Sequence, residues 1–64
     1  MLVVSNDMTI NFDKVILMEV RDKELVLILP DHKVTATYKS AESARVALRL
    51  LESNYVIGSK ICKI

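Results

Sequence analysis

Apolar positions along the chain fall into short runs, followed by one long stretch with helical spacing. Leu2–Ser5 and Met8–Phe12 are brief candidates for strands, and Lys14–Arg21 (KVILMEVR) and Glu24–Leu29 (ELVLIL) are the clearest ones. Val34–Lys39 (VTATYK) alternates strictly and is rich in β-branched residues, as a half-buried strand should be. "RDKE" and "PDHK" read as the turns between the last three, because Pro30 fixes its own φ and Asp31 can bond nearby backbone. The segment "AESARVALRLLES" is dense in good helix formers, with Ser40 as N-cap and Glu42 in the first turn, where the helix dipole favours an acid. Ala41, Ala44, Ala47, Leu48, Leu51 and Tyr55 recur at three- and four-residue steps and form one face. Arg45, Arg49 and Glu52 lie opposite, and Asn54 is a candidate stop. The remaining "VIGSKICKI" reads either as a last strand or as a loose tail.

The pattern predicts an α+β fold. A small antiparallel sheet of three to four strands carries one C-terminal α-helix on one face, and the tail may add a further strand. Residues 1–64 make a single domain, with residues 1–7 an edge strand or frayed and residues 56–64 the tail.

The central strands can be registered from their turns. A two-residue loop at Asp22-Lys23 sets Val20 opposite Leu25, Met18 opposite Leu27 and Ile16 opposite Leu29. A two-residue loop at Asp31-His32 sets Leu29 opposite Val34, Leu27 opposite Ala36 and Leu25 opposite Tyr38. Both turns place the same apolar residues on one face, as a consistent register requires. That face is the expected core beneath the helix. The other face carries a charged corner of Glu19, Arg21 and Glu24, and an apolar group of Val15, Leu17, Val26 and Ile28. Clustered aliphatics on an open sheet mark an interaction site, so these four form the expected interface. Lys33, Thr35, Thr37 and Lys39 share the same face and are candidate contacts for a small anionic ligand held between subunits. Met8, Ile10 and Phe12 join either face, depending on whether a tight loop or a longer, bulged one follows them. The bulged option, which turns them toward the core, lets the helix cover more apolar side chains.

Size and composition sharpen the expectation of a partner. A chain of 64 residues buries only about 60 % of the surface its unfolded form exposes, and small domains rely on disulfides, metals or oligomerisation. One Cys and one His supply neither an internal disulfide nor a four-ligand zinc site. Oligomerisation is left, as a dimer or higher. Hydrophobic residues make up 52 % of the chain and the mean hydropathy is +0.31, which sets it apart from disordered polyampholytes. No apolar run approaches the roughly 18 residues of a membrane span, and the first residues lack the basic region of a secretory signal. No membrane association and a reducing cytoplasmic setting are therefore expected. Nine Lys and Arg against eight Asp and Glu leave a net charge of +1, which gives no electrostatic case for nucleic acid.

The order of motifs carries a resemblance. "TINFDKVILMEV", a hairpin, and then "VTATYKSAESARVALRLLES" resemble a group of short uncharacterised proteins of low-GC Gram-positive bacteria and their phages. In that group an (I/V)N(F/L)D-x-V segment leads into a small antiparallel sheet, and Y-x-(S/T)-x-E-x-A starts a single helix. Ile10, Asn11, Phe12, Asp13 and Val15 fit the first motif; Tyr38, Ser40 and Ala44 fit the second, but the acid is at Glu42 and Ser43 fills a position often acidic. The resemblance covers about Met8 to Ser53 and implies a sheet-plus-helix fold and an accessory role in bacterium or phage. It implies no activity.

Catalytic chemistry has little to stand on. Asp7, Asp13, Asp22 and Asp31 fall in predicted turns, where backbone bonding explains them. His32 sits at a hairpin tip with no Ser or Cys nucleophile beside it. Cys62 reads as an inert thiol or, less simply, as an interchain link or reactive site. Tyr38 and Tyr55 read as core or core edge, and Lys60 and Lys63 as part of a solvated face. The only glycine, Gly58, lies past the helix, so no phosphate loop exists. No catalytic residue, metal ligand or cofactor is expected. The expected function is that of a non-enzymatic interaction module working as a homo-oligomer; the alternative is a protein that binds or sequesters a nucleotide-like ligand between subunits.

Overall fold

The computed structural model describes residues 1–6 and 8–64. Asp7, one of the expected turn formers, lies outside the described residues. The protein is an α+β fold whose strands divide over two three-stranded sheets with one helix. The first sheet contains β1 (Leu2–Ser5), β2 (Met8–Asn11) and β6 (Ile61–Lys63), in the order β2-β1-β6. The second is the meander β3 (Leu17–Arg21), β4 (Glu24–Ile28) and β5 (Lys33–Thr37), and α1 (Ala41–Val56) follows it. Leu2–Ser5, expected at an edge or frayed, is the central strand of its sheet. The tail is ordered: β6 pairs parallel with β1, bringing Val3 opposite Cys62. Bonds from the Leu2 N–H to the Lys60 carbonyl and from the Ile64 N–H to the Val4 carbonyl extend that pairing at both ends.

The β3–β4 hairpin has the expected register, with Val20 opposite Leu25 and Met18 opposite Leu27. Asp22 takes a φ of 53°, the left-handed region that Asp tolerates better than bulkier residues. The β4–β5 hairpin corrects the expectation by two residues, pairing Leu25 with Ala36 and Leu27 with Val34. Its loop is Pro30-Asp31 rather than Asp31-His32, and the Leu29 N–H donates to the His32 carbonyl at 2.8 Å. The cause is Pro30, which has no N–H for a ladder but a φ suited to the second position of a turn. A slip of two keeps every side chain on its face, so Leu25, Leu27 and Val34 remain in the core.

Regular pairing breaks down before β3. Phe12–Lys14 form a 3₁₀ turn, capped by the Asn11 side chain accepting from the Asp13 N–H. Ile16 donates its N–H to the carbonyl of Ile28, which is already the register partner of Leu17. Alternation therefore fails here, and two expectations reverse. Val15, expected on the outer face, packs against the core. Ile16, expected in the core, is 68 % exposed. Met8, Ile10 and Phe12 turn to the core, as the longer connection predicted, although they do so from a separate sheet.

The helix starts where expected: the Ser40 hydroxyl accepts from the Ser43 N–H at 3.1 Å. It runs past Asn54 to Val56 and closes at Gly58, whose φ is +78°. The Gly58 N–H donates to Tyr55 and the Ser59 N–H to Asn54, a Schellman closure. Asn54 thus acts inside the last turn. Its side chain donates to the Leu50 carbonyl at 2.8 Å and accepts from the Ser59 hydroxyl at 2.7 Å, which fixes the exit toward β6. Ala44, Ala47 and Leu51 are buried as the spacing predicted. Tyr55, placed on that face, is exposed instead and rests against Phe12, with ring centroids 5.3 Å apart.

Both sheets and the helix share one core. Val3 and Cys62 come from the first sheet, Leu25, Leu27, Leu29 and Val34 from the second and its turn, and Ala47 and Leu51 from the helix. The helix packs over β3 and β4 and touches β6. The small side chains of Ala44 and Ala47 permit that close approach.

Candidate functional site

The outer face of the second sheet was the expected interface, and it presents less apolar surface than four aliphatic residues imply. Val26 is only 6 % exposed. It lies in the central strand between Glu19 and Thr35, its register partners on either side. Glu19 is also paired with Arg21, whose Nε lies 2.7 Å from Glu19 Oε1. Val15 has turned to the core. Leu17 is exposed and Ile28 half-buried, and Ile16 joins them from the irregular segment.

Lys33, Thr35, Thr37 and Lys39 are all exposed, in a row along β5 and just beyond it. Lys33 and Lys39 are six residues apart in extended chain, about 20 Å, so the row does not gather both ammonium groups around one small anion. Thr37 and Lys39 border a cleft with Ser5 and Ile64, whereas Lys33 and Thr35 do not.

The titratable groups explain themselves locally. The Asp31 carboxylate lies 2.7 Å from His32 Nδ1 at the exposed hairpin tip, and this hydrogen bond holds its carboxyl below the ordinary value. Burial pushes the Cys62 thiol up, so at neutral pH it is a protonated core residue. Burial also raises Tyr38, with the neighbouring Cys62 adding to the shift. The Tyr38 hydroxyl oxygen is buried without a hydrogen-bond partner among the described residues. No group of three or more potential metal-ligating side chains occurs among the described residues. Among the described residues, no helix is long and apolar enough to cross a membrane.

The largest apolar surplus lies on the helix. Val46, Leu50, Val56 and Ile57 are exposed, Leu50 to 43 % and Ile57 to 76 %. Beside the N-terminal half of the helix runs an open groove of about 510 Å³, lined by Tyr38, Ser43, Val46, Ala47, Leu50 and Ile64 among others. Its volume falls in the range of ligand pockets, but it is open along its length. The signal was present in the sequence. Ser43, Val46, Leu50, Ser53 and Ile57 follow one another at alternating steps of three and four, a second stripe beside the one that makes the core. A search for a single apolar face passes over it, because Arg45, Arg49 and Glu52 suggest that the whole opposite side is solvated. A smaller patch, Leu2 beside Ile61, faces outward from the first sheet.

No family model, curated protein or solved structure matches this chain.

Proposed function

We propose that the protein is a non-catalytic interaction module that works as a homo-oligomer. The carrying observation is the ratio of covered to uncovered apolar side chains. Among the described residues, ten hydrophobic side chains are buried, while nine large ones are exposed: Leu2, Ile16, Leu17, Val46, Leu50, Tyr55, Val56, Ile57 and Ile61. Scattered exposed apolar residues are ordinary, but Val46 and Leu50 line an open groove together with Tyr38, Ala47 and Ile64, a surface of the kind that partners cover. A core this small also leaves a lone subunit near the limit of stability, and association adds to it by mass action. The accessory role implied by the sequence resemblance is compatible with such a module.

Sedimentation equilibrium of the unaltered chain at micromolar concentration tests this. A mass of two or more chains is the expected result. A single-chain mass across the whole concentration range overturns the proposal.

A further inference from the structure

We infer that the cleft between the two sheets binds a small oxyanion within one subunit: the phosphate group of a free phosphate or of a phosphate monoester. The cleft holds about 540 Å³ and is lined by Ser5 at the end of β1, Thr37, Tyr38 and Lys39 at the end of β5, Ser43 on the helix and Ile64 beyond β6, among others. Its volume falls in the range of small-ligand sites. Thr37 and Lys39, two of the four ligand contacts expected from the sequence, thus meet a residue that no motif or spacing marked out, Ser5. The site needs no second subunit and does not depend on association.

Ser5 is the observation that points to a ligand. It is the one buried polar residue among the described residues, only 7 % exposed. Two positions from Val3 in β1, it shares the inward face of that core residue. None of the side-chain hydrogen bonds among the described residues involves it. Buried polar groups ordinarily have a partner, so a hydroxyl held at the wall of a cleft calls for one from outside. The backbone supplies a second donor. Tyr38 gives its N–H to the Lys23 carbonyl at 2.9 Å, on the side of β4. N–H groups of successive strand residues point to opposite sides, so that of Thr37 points to the open edge of β5. The cleft lies on that side, because no β4 residue lines it. Ser43 supplies a third donor: its hydroxyl oxygen accepts from the Ser40 hydroxyl at 3.0 Å, which leaves its own proton to give. Lys39 adds a positive charge, and no acidic side chain lines the cleft among the described residues. Hydroxyl and amide donors around one ammonium group suit an anion with several acceptor oxygens. Tyr38 and Ile64 form an apolar wall beside them, against which the body of an ester can rest.

Backbone-amide NMR of the full chain tests the site. The chain is titrated with inorganic phosphate and, separately, with phenyl phosphate, against sodium chloride of equal ionic strength. Saturable shifts centred on Ser5, Thr37, Lys39 and Ser43 are expected with both probes and not with chloride. Tighter binding of phenyl phosphate assigns the site to a monoester, and equal binding to free phosphate. Ser5→Ala should lower the affinity by about 10-fold, as the loss of one hydrogen bond to a charged group does, with the melting temperature unchanged. Lys39→Met, at an exposed position, should lower it by a similar factor and keeps the test open if Ser5→Ala alters the fold. Shifts that do not saturate, shifts no larger than those with chloride, or an affinity that both substitutions leave intact would overturn the proposal. A lower melting temperature of Ser5→Ala with unchanged affinity would overturn it too, because the hydroxyl would then serve the fold.

Discussion

Leu50 and Leu51 are neighbours of the same type on one helix, and their surroundings differ completely. Leu51 is fully buried among both sheets, while Leu50 is 43 % exposed beside an open groove. One turns toward Ala44 and Ala47, the other toward Val46 and Ile57. The inner face does the work of folding. The outer face contributes little to the isolated subunit and is free to serve a partner. The outer face of the second sheet is a third case: Val26 in its central strand is buried, while Ile28 two residues on is half-buried and its register partner Leu17 is exposed.

The sharpest way to break this comparison is to truncate both leucines. Leu51→Ala should destabilise the fold by about 2–5 kcal/mol in urea denaturation, because it opens a cavity where three layers meet. Leu50→Ala, measured at concentrations where chains are separate, should cost only about 1 kcal/mol, because the residue is 43 % exposed and leaves no enclosed cavity. Comparable losses would mean that the two faces do not differ in role.

The helix ends come next in size. Removing the cap with Ser40→Ala should cost about 1 kcal/mol, since the Ser43 N–H loses its acceptor. Gly58→Ala should cost about 1–2 kcal/mol through backbone strain alone. An added Cβ meets nothing within 4 Å, but φ is +78°. Both losses should appear in thermal unfolding, and neither substitution touches the outer stripe.

A smaller effect is expected from pH. Burial raises the Cys62 thiol, so the folded state keeps its proton where the unfolded chain has lost it. Stability from this group is full below the unfolded thiol value, about 8.5, and falls as pH rises above it. Tyr38, raised by burial, adds a loss in the same direction at still higher pH. Native Cys62 should also react with a thiol reagent only as fast as the fold opens; rapid labelling at neutral pH would contradict its place in the core. The Asp31–His32 pair works on the acid side. Its lowered carboxyl favours the fold above the unfolded value, about 3.9, and that contribution fades as pH falls through the folded one. Because both groups are at an exposed tip, Asp31→Asn should leave the neutral-pH melting temperature essentially unchanged.

The core-facing sides of β4, β5 and the helix were legible because period and turn chemistry agree there. Leu25, Leu27, Val34, Ala47 and Leu51 could be placed from spacing alone. The division into two sheets was not, because it depends on β6 returning to β1 across the whole chain, and no local pattern records a parallel pairing. Val15 and Ile16 exchanged sides because a 3₁₀ turn feeds β3 off register. Val26 and Leu50 show why the candidate surface was harder to read than the core. A residue in the centre of a strand face can be buried while its neighbours Leu17 and Ile28 are not, and a helix can carry a second line of apolar residues beside the one that makes the core.

The most direct test of the central claim is a sedimentation-equilibrium comparison of the unaltered chain with Leu50→Glu under the same conditions. The account requires the unaltered chain to reach at least twice its 7.2 kDa mass and the variant to remain at the mass of one chain. Equal masses for the two, whether of one chain or of several, would contradict it.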